Sequence, residues 1–243
     1  MSAVKDDDFT PIECLLGSQT GKIWVQFPTT PEKIQYVLDI LEVTELKDLV
    51  ILDAVFLFST NNFNLSLHED IREINLLAQN IQNLNKSDGL LQVFEALVET
   101  RAINSISDLI TISIQDNIDI AYLYPDVHDD YELGMYMCNE FPAEVEELGF
   151  DVKSESDFTE IGKAIKEKDC GEYSSYGYIM KSGSFIEYNK EQLTTSFLSS
   201  LDKDIILTEQ AKLSLDNVTS IKSYVPDKDK LCARQTSKLL CKR

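Results

Sequence analysis

A chain of 243 residues with 42 acids against 22 bases carries a net charge of −20 on a hydrophobic share of 43%, which is ordinary for a folded protein. Such charge excludes direct binding to nucleic acid or to an anionic membrane and points to cationic partners. The apolar share excludes wholesale disorder, and no apolar run approaches the roughly 20 residues that cross a bilayer.

The imbalance is dispersed. Residues 1–200 hold 36 acids and 13 bases, whereas residues 201–243 hold six acids and nine bases. A folded body must therefore keep a large negative field that works against its own compaction. Met1–Thr10 is acidic and lacks the apolar stretch of a signal peptide. Five scattered cysteines, an odd number with no Cys-x-x-Cys pair, argue against a disulfide framework and against a zinc site. A cytoplasmic setting and no cofactor are expected.

In chain order, residues 1–62 read as a small α+β unit. Lys22–Phe27 alternates like a strand. Thr30, Pro31 and Glu32 are a helix start ahead of the stripe Ile34, Val37, Leu38, Leu41. Leu49–Phe58 is expected to be a buried strand, and Ser59–Asn64 a boundary. Residues 63–112 read as helical. Ser66 and Glu69 offer a capping box before Ile71, Ile74, Leu77 and Ile81, and Asn85–Gly89 is a turn. Leu91, Phe94, Leu97 and Val98 define a second helix, and Ser105 with Asp108 offers another capping box.

Residues 113–198 return to mixed structure. Thr111–Ile114 and Ile118–Tyr124 are expected strands. Tyr131, Met135, Cys138 and Phe141 lie at helical spacing, and Pro142 opens a short helix through Leu148. Phe158, Ile161 and Ile165 mark a further helix. Tyr176–Met180 and Phe185–Tyr188 are expected to pair as a hairpin. Residues 199–243 form a basic-ended extension whose expected state is mobile. The fold class is thus α+β: three small domains in a row (α+β, helical, α+β) and a C-terminal extension.

The acids concentrate where neutralising bases are missing. From Asp108 to Glu147 there are eleven acids and no Lys or Arg. Glu140, Glu144 and Glu147 repeat at helical spacing, as do Asp157 and Glu160, and Asp126, Asp129, Asp130 and Glu132 cluster just before them. Helical positions three or four apart hold their Cβ atoms about 5–6 Å apart, close to the spacing of phosphates along a DNA strand. Each pair alone reads as a solvated helix face. These nine residues, together with Asp116 and Asp119, are read as phosphate-mimicking contacts for a cationic partner.

Catalytic patterns are weak. His68-Glu69-Asp70-Ile71-Arg72 has Arg72 where a zinc protease needs its second histidine. His128 stands among Asp126, Asp129 and Asp130 without calcium-loop spacing. Asp126 with Asp151 and Lys153 loosely fits a Mg²⁺-dependent nuclease signature, but the negative body would repel the substrate.

Several segments, taken in order, resemble the ArdA antirestriction family. They are Gly21-Lys22-Ile23-Trp24-Val25-Gln26-Phe27-Pro28, Ile74-Asn75-Leu76-Leu77-Ala78, Asp129-Asp130-Tyr131-Glu132-Leu133-Gly134-Met135-Tyr136, Asp157-Phe158-Thr159-Glu160-Ile161-Gly162 and Gly177-Tyr178-Ile179. The chain departs from the family pattern at Ala54 and Val55, and in its extension beyond about residue 198. The resemblance implies an elongated, three-domain homodimer, carried by mobile genetic elements as an anti-defence protein. It implies a non-enzymatic DNA mimic that occupies the DNA groove of Type I restriction-modification enzymes. A mimic that blocks another nucleic-acid machine, such as a CRISPR effector, is the alternative, and a Mg²⁺-dependent nuclease is the third reading.

Overall fold

Ile12, Cys14 and Leu16 are fully buried, and this two-residue period makes Ile12–Gly17 the central strand β1 of the first sheet. On its other face Glu13 is also covered, accepting a hydrogen bond from Gln26 Nε2 at 2.8 Å. The computed structural model describes residues 9–60, 63–150 and 157–190. Strands β2 (Lys22–Phe27) and β3 (Val50–Phe56) flank β1 in antiparallel order β2-β1-β3. Between β2 and β3 runs α1 (Pro31–Ile40), with Thr30 accepting from Lys33 N and with Ile34, Val37 and Leu38 packed inward.

Strand β3 was expected to be buried, but it is an edge strand in which Ile51 alone is fully buried. A register shift lies between Leu15 and Leu16 of β1, opposite Asp53 and Ile51. Ile51 N donates to Leu67 O, and Ala54 N donates to the carboxylate of Asp53. Irregular pairing and a covering carboxylate are ways to blunt an edge against further strands.

Helices α2 (Ile71–Asn85), α3 (Leu90–Glu99), α4 (Ile106–Ser113) and α5 (Gln115–Asp119) follow. The cap of α2 is Asp70, not Ser66: its carboxylate accepts from Arg72 N and is closed by the Arg72 guanidinium. Ser105 and Asp108 do form their capping box. Thr111–Ile114, expected as a strand, is the end of α4 and its cap. The apolar residues Ile106, Leu109, Ile110 and Ile112 bury themselves at helical spacing, which overrides the β-branched composition. One continuous core joins the first sheet to these helices, running from Ile12 through Ile74, Phe94 and Leu109 to Ile118 and Ile179.

The second sheet has antiparallel order β4-β6-β5, from β4 (Ala121–Tyr124), β5 (Glu172–Ser174) and β6 (Gly177–Lys181). The strand expected over Ile118–Tyr124 is therefore four residues long, because Ile118 and Asp119 belong to α5. The hairpin partner of β6 is β5, not Phe185–Tyr188. That segment instead crosses the helices: Asn117 exchanges two hydrogen bonds with the Ile186 backbone, and Tyr188 N donates to Thr111 Oγ1.

Helices α6 (Asp130–Glu140), α7 (Pro142–Glu147) and α8 (Phe158–Asp169) cover this sheet around a second core of Leu133, Met137, Val145, Ile161, Ile165 and Tyr178. The inward face of α6 is Leu133, Gly134, Met137 and Cys138. Of the residues read at helical spacing, Cys138 faces inward, whereas Tyr131, Met135 and Phe141 are exposed. Small residues decide the face. A Cβ on Gly134 would meet Phe158 O at 1.8 Å, and one on Gly162 would meet Asp130 O at 1.8 Å. The two helices thus cross backbone to backbone, antiparallel, with their first turns side by side.

Candidate acidic partner-binding surface

The acids of α5 come first. Asp116 and Asp119 are both exposed, and Asp119 Oδ1 accepts from Gln115 Nε2 at 2.7 Å. After β4, Asp126 stands exposed in the turn. Asp129 caps α6, taking Glu132 N at 2.8 Å, while Glu132 Oε2 takes His128 N at 2.7 Å. Asp130 is half-buried and accepts from the Tyr173 hydroxyl at 2.9 Å. Burial, then that hydrogen bond, push the Tyr173 phenol far above its usual range.

Asp157 and Glu160 open α8, and the close crossing sets them beside the start of α6. The ring contact of Tyr131 with Phe158 closes the same junction, at 5.7 Å between centroids. The structure therefore brings together Asp129, Asp130, Glu132, Asp157 and Glu160 at two adjacent helix N-termini. There the helix dipoles and free backbone N–H groups favour negative charge, each by about 0.3–1 kcal/mol, which offsets much of the mutual repulsion.

Glu140, Glu144 and Glu147 are also exposed, but at the far end of α6 and along α7. Glu140 and Glu147 close their helices, where the dipole disfavours a carboxylate. Among the eight α-helices described, α8 alone carries bases in its last turn, Lys166 and Lys168. Among the described residues Asp116, Asp126, Glu140, Glu144, Glu147 and Glu160 have no side-chain partner, and the salt bridges of Lys47, Arg72 and Lys190 lie elsewhere. The surface is an acidic field in two groups, with Lys163, Lys166 and Lys168 of α8 the bases beside it.

Sequence reasoning passed over Glu146, exposed on α7, and Asp169, half-buried at the end of α8. Burial, opposed by Lys168 and reinforced by Glu144, raises the Asp169 carboxyl above its usual range. No spacing rule links residues 144 and 169; only the folded chain does.

Chemistry of other kinds has little to stand on. Among the described residues no three His, Cys, Asp or Glu side chains gather as a metal-binding group. Asp126 of the nuclease-like set is exposed, and Asp151 and Lys153 lie outside the described residues, as does the extension over 199–243. His68 and His128 are exposed. Cys14 is buried in the first sheet, its thiol pushed up to about 12 by burial and then by Asp53 and Glu13, the opposite of an activated nucleophile. No helix among the described residues is long and apolar enough to cross a membrane. No protein-family model matches the chain, and no curated protein matches it.

Proposed function

We propose that the protein is a non-enzymatic inhibitor that imitates DNA and occupies the DNA-binding groove of a Type I restriction-modification enzyme. One observation carries the reading: eleven acids between Asp108 and Glu147 with no Lys or Arg among them, most of them exposed on short helices and turns. An ordinary salt-bridged surface interleaves both signs. This one offers rows of carboxylates to the lysines and arginines that would otherwise hold phosphates. Binding releases counterions from both partners, so affinity falls as salt rises. The choice of a Type I enzyme rests on the resemblance to the ArdA family. A CRISPR effector presents the same cationic chemistry.

The test is competition. Labelled duplex DNA is bound to a purified Type I complex, and in parallel to a CRISPR effector, and the protein is titrated in at two salt concentrations. Displacement of DNA from the Type I complex, weaker at the higher salt, supports the reading. Displacement from the CRISPR effector alone transfers it to that target. Simultaneous binding of protein and duplex to both complexes overturns it. Incubation with plasmid and Mg²⁺ completes the set, since cleavage would make the protein an enzyme.

A further inference from the structure

The acidic field also contains a row of aromatic rings. Tyr124 of β4 packs edge-on against Tyr136 of α6 at 5.2 Å between centroids, and Tyr136 leans on Phe141 at 6.1 Å. Phe141, between α6 and α7, is 38% exposed, and the two tyrosines are partly so. Leaving a large ring in water forgoes its burial, and nothing in α6 requires it, since the inward face is complete without it.

Carboxylates border the row. Glu140 follows Tyr136 by one helical turn. Glu144 and Asp169 lie close enough to raise the Tyr124 phenol, after burial and Tyr136 have done so. Lys168 is the base that offsets Asp169. Beneath the row Tyr178 is 1% exposed, and its hydroxyl has no hydrogen-bond partner among the described residues. Tyr178 stacks at an angle on Tyr124, 6.0 Å between centroids.

We propose that Tyr124, Tyr136 and Phe141, with Glu140, Glu144 and Asp169 at their rim, form a seat for an arginine side chain of the protein partner. A guanidinium stacks on ring faces and donates to carboxylates in one plane, and it is less tightly hydrated than an ammonium. The inference rests on the DNA-mimic reading, because it assigns the cationic partner of that surface. It adds something phosphate imitation does not predict, namely a preference for arginine over lysine that the ring of Phe141 carries.

The experiment titrates the full chain with an oligo-arginine and an oligo-lysine peptide of equal length, by calorimetry at low and moderate salt. The arginine peptide should bind about 3-fold more tightly, the size of an exposed cation–π contact. Phe141→Leu should bring the ratio to about 1 while leaving the lysine peptide unchanged. Glu144→Gln, which keeps the ring row intact, should weaken both peptides. Equal affinity for the two peptides, or a preference that survives Phe141→Leu, overturns the seat and leaves the mimic standing. Failure of both peptides to bind even at low salt overturns the seat and the mimic together.

Discussion

Glu73 is 2% exposed in the first turn of α2, and the cation that reaches it comes from far along the chain: Lys190 Nζ lies 2.7 Å from its Oε2 and 3.6 Å from Asp70. Ser107 Oγ completes the contact at 3.5 Å. Removing one partner of a buried pair strands the other, although the exposure of Lys190 tempers the loss. Lys190→Met should therefore lower stability by about 1–2 kcal/mol in urea unfolding, and adding Glu73→Gln should recover part of it. Asp169 is the converse case. Its carboxyl is raised in the folded protein, so its contribution to stability is complete below the unfolded value of about 3.9 and disappears as pH rises through the folded value. Asp169→Asn should accordingly unfold at higher urea than the wild type at neutral pH, with the gap closing toward about pH 3. A wild-type residue that weakens its own fold at neutral pH is the kind of position that binding, rather than stability, retains.

At the scale of elements, the crossing of α6 and α8 depends on two missing methyl groups. Gly134→Ala or Gly162→Ala forces a Cβ into backbone, which no rotamer change relieves. Each should cost about 2–3 kcal/mol, measured by thermal or urea unfolding. Gly21→Ala, whose Cβ would touch Leu41 Cδ2 at 3.6 Å, should cost far less. Local signals made several elements legible: the Thr30-Pro31 start of α1, the Ser105–Asp108 box of α4 and the Pro142 start of α7 all stand where cap chemistry puts them. Long-range choices were not legible. Thr111–Ile114 has β-branched composition, and only packing on α2 makes it helical. The outward turn of Tyr131 and Met135 goes with the inward turn of Gly134, whose role cannot be seen until α8 lies against it. Most of the candidate surface could be read from charge alone, because exposure is the default for carboxylates. Asp169 and the ring row could not, because their neighbours come from different elements.

For the whole molecule, no single acid should matter much. Rim charges tune encounter and salt dependence more than they anchor a complex. Neutralising any one of Asp116, Asp126, Glu140, Glu144, Glu147 or Glu160 should change inhibition of DNA binding little, while neutralising all of them together should weaken it strongly and flatten its salt dependence. A lone substitution that abolished activity would instead point to a catalytic centre. Direct measurement of the affinity for the target complex across a salt series checks all three outcomes.

On the proposed DNA-mimic reading, the contact of Gly134 and Gly162 with opposing backbone sets how exactly charges are spaced. Side chains drift among rotamers, but main chains in direct touch do not slide. The two clusters of carboxylates that begin α6 and α8 are thereby held at one fixed separation, like marks engraved on a gauge. A partner that measures the interval between charges meets the same interval each time.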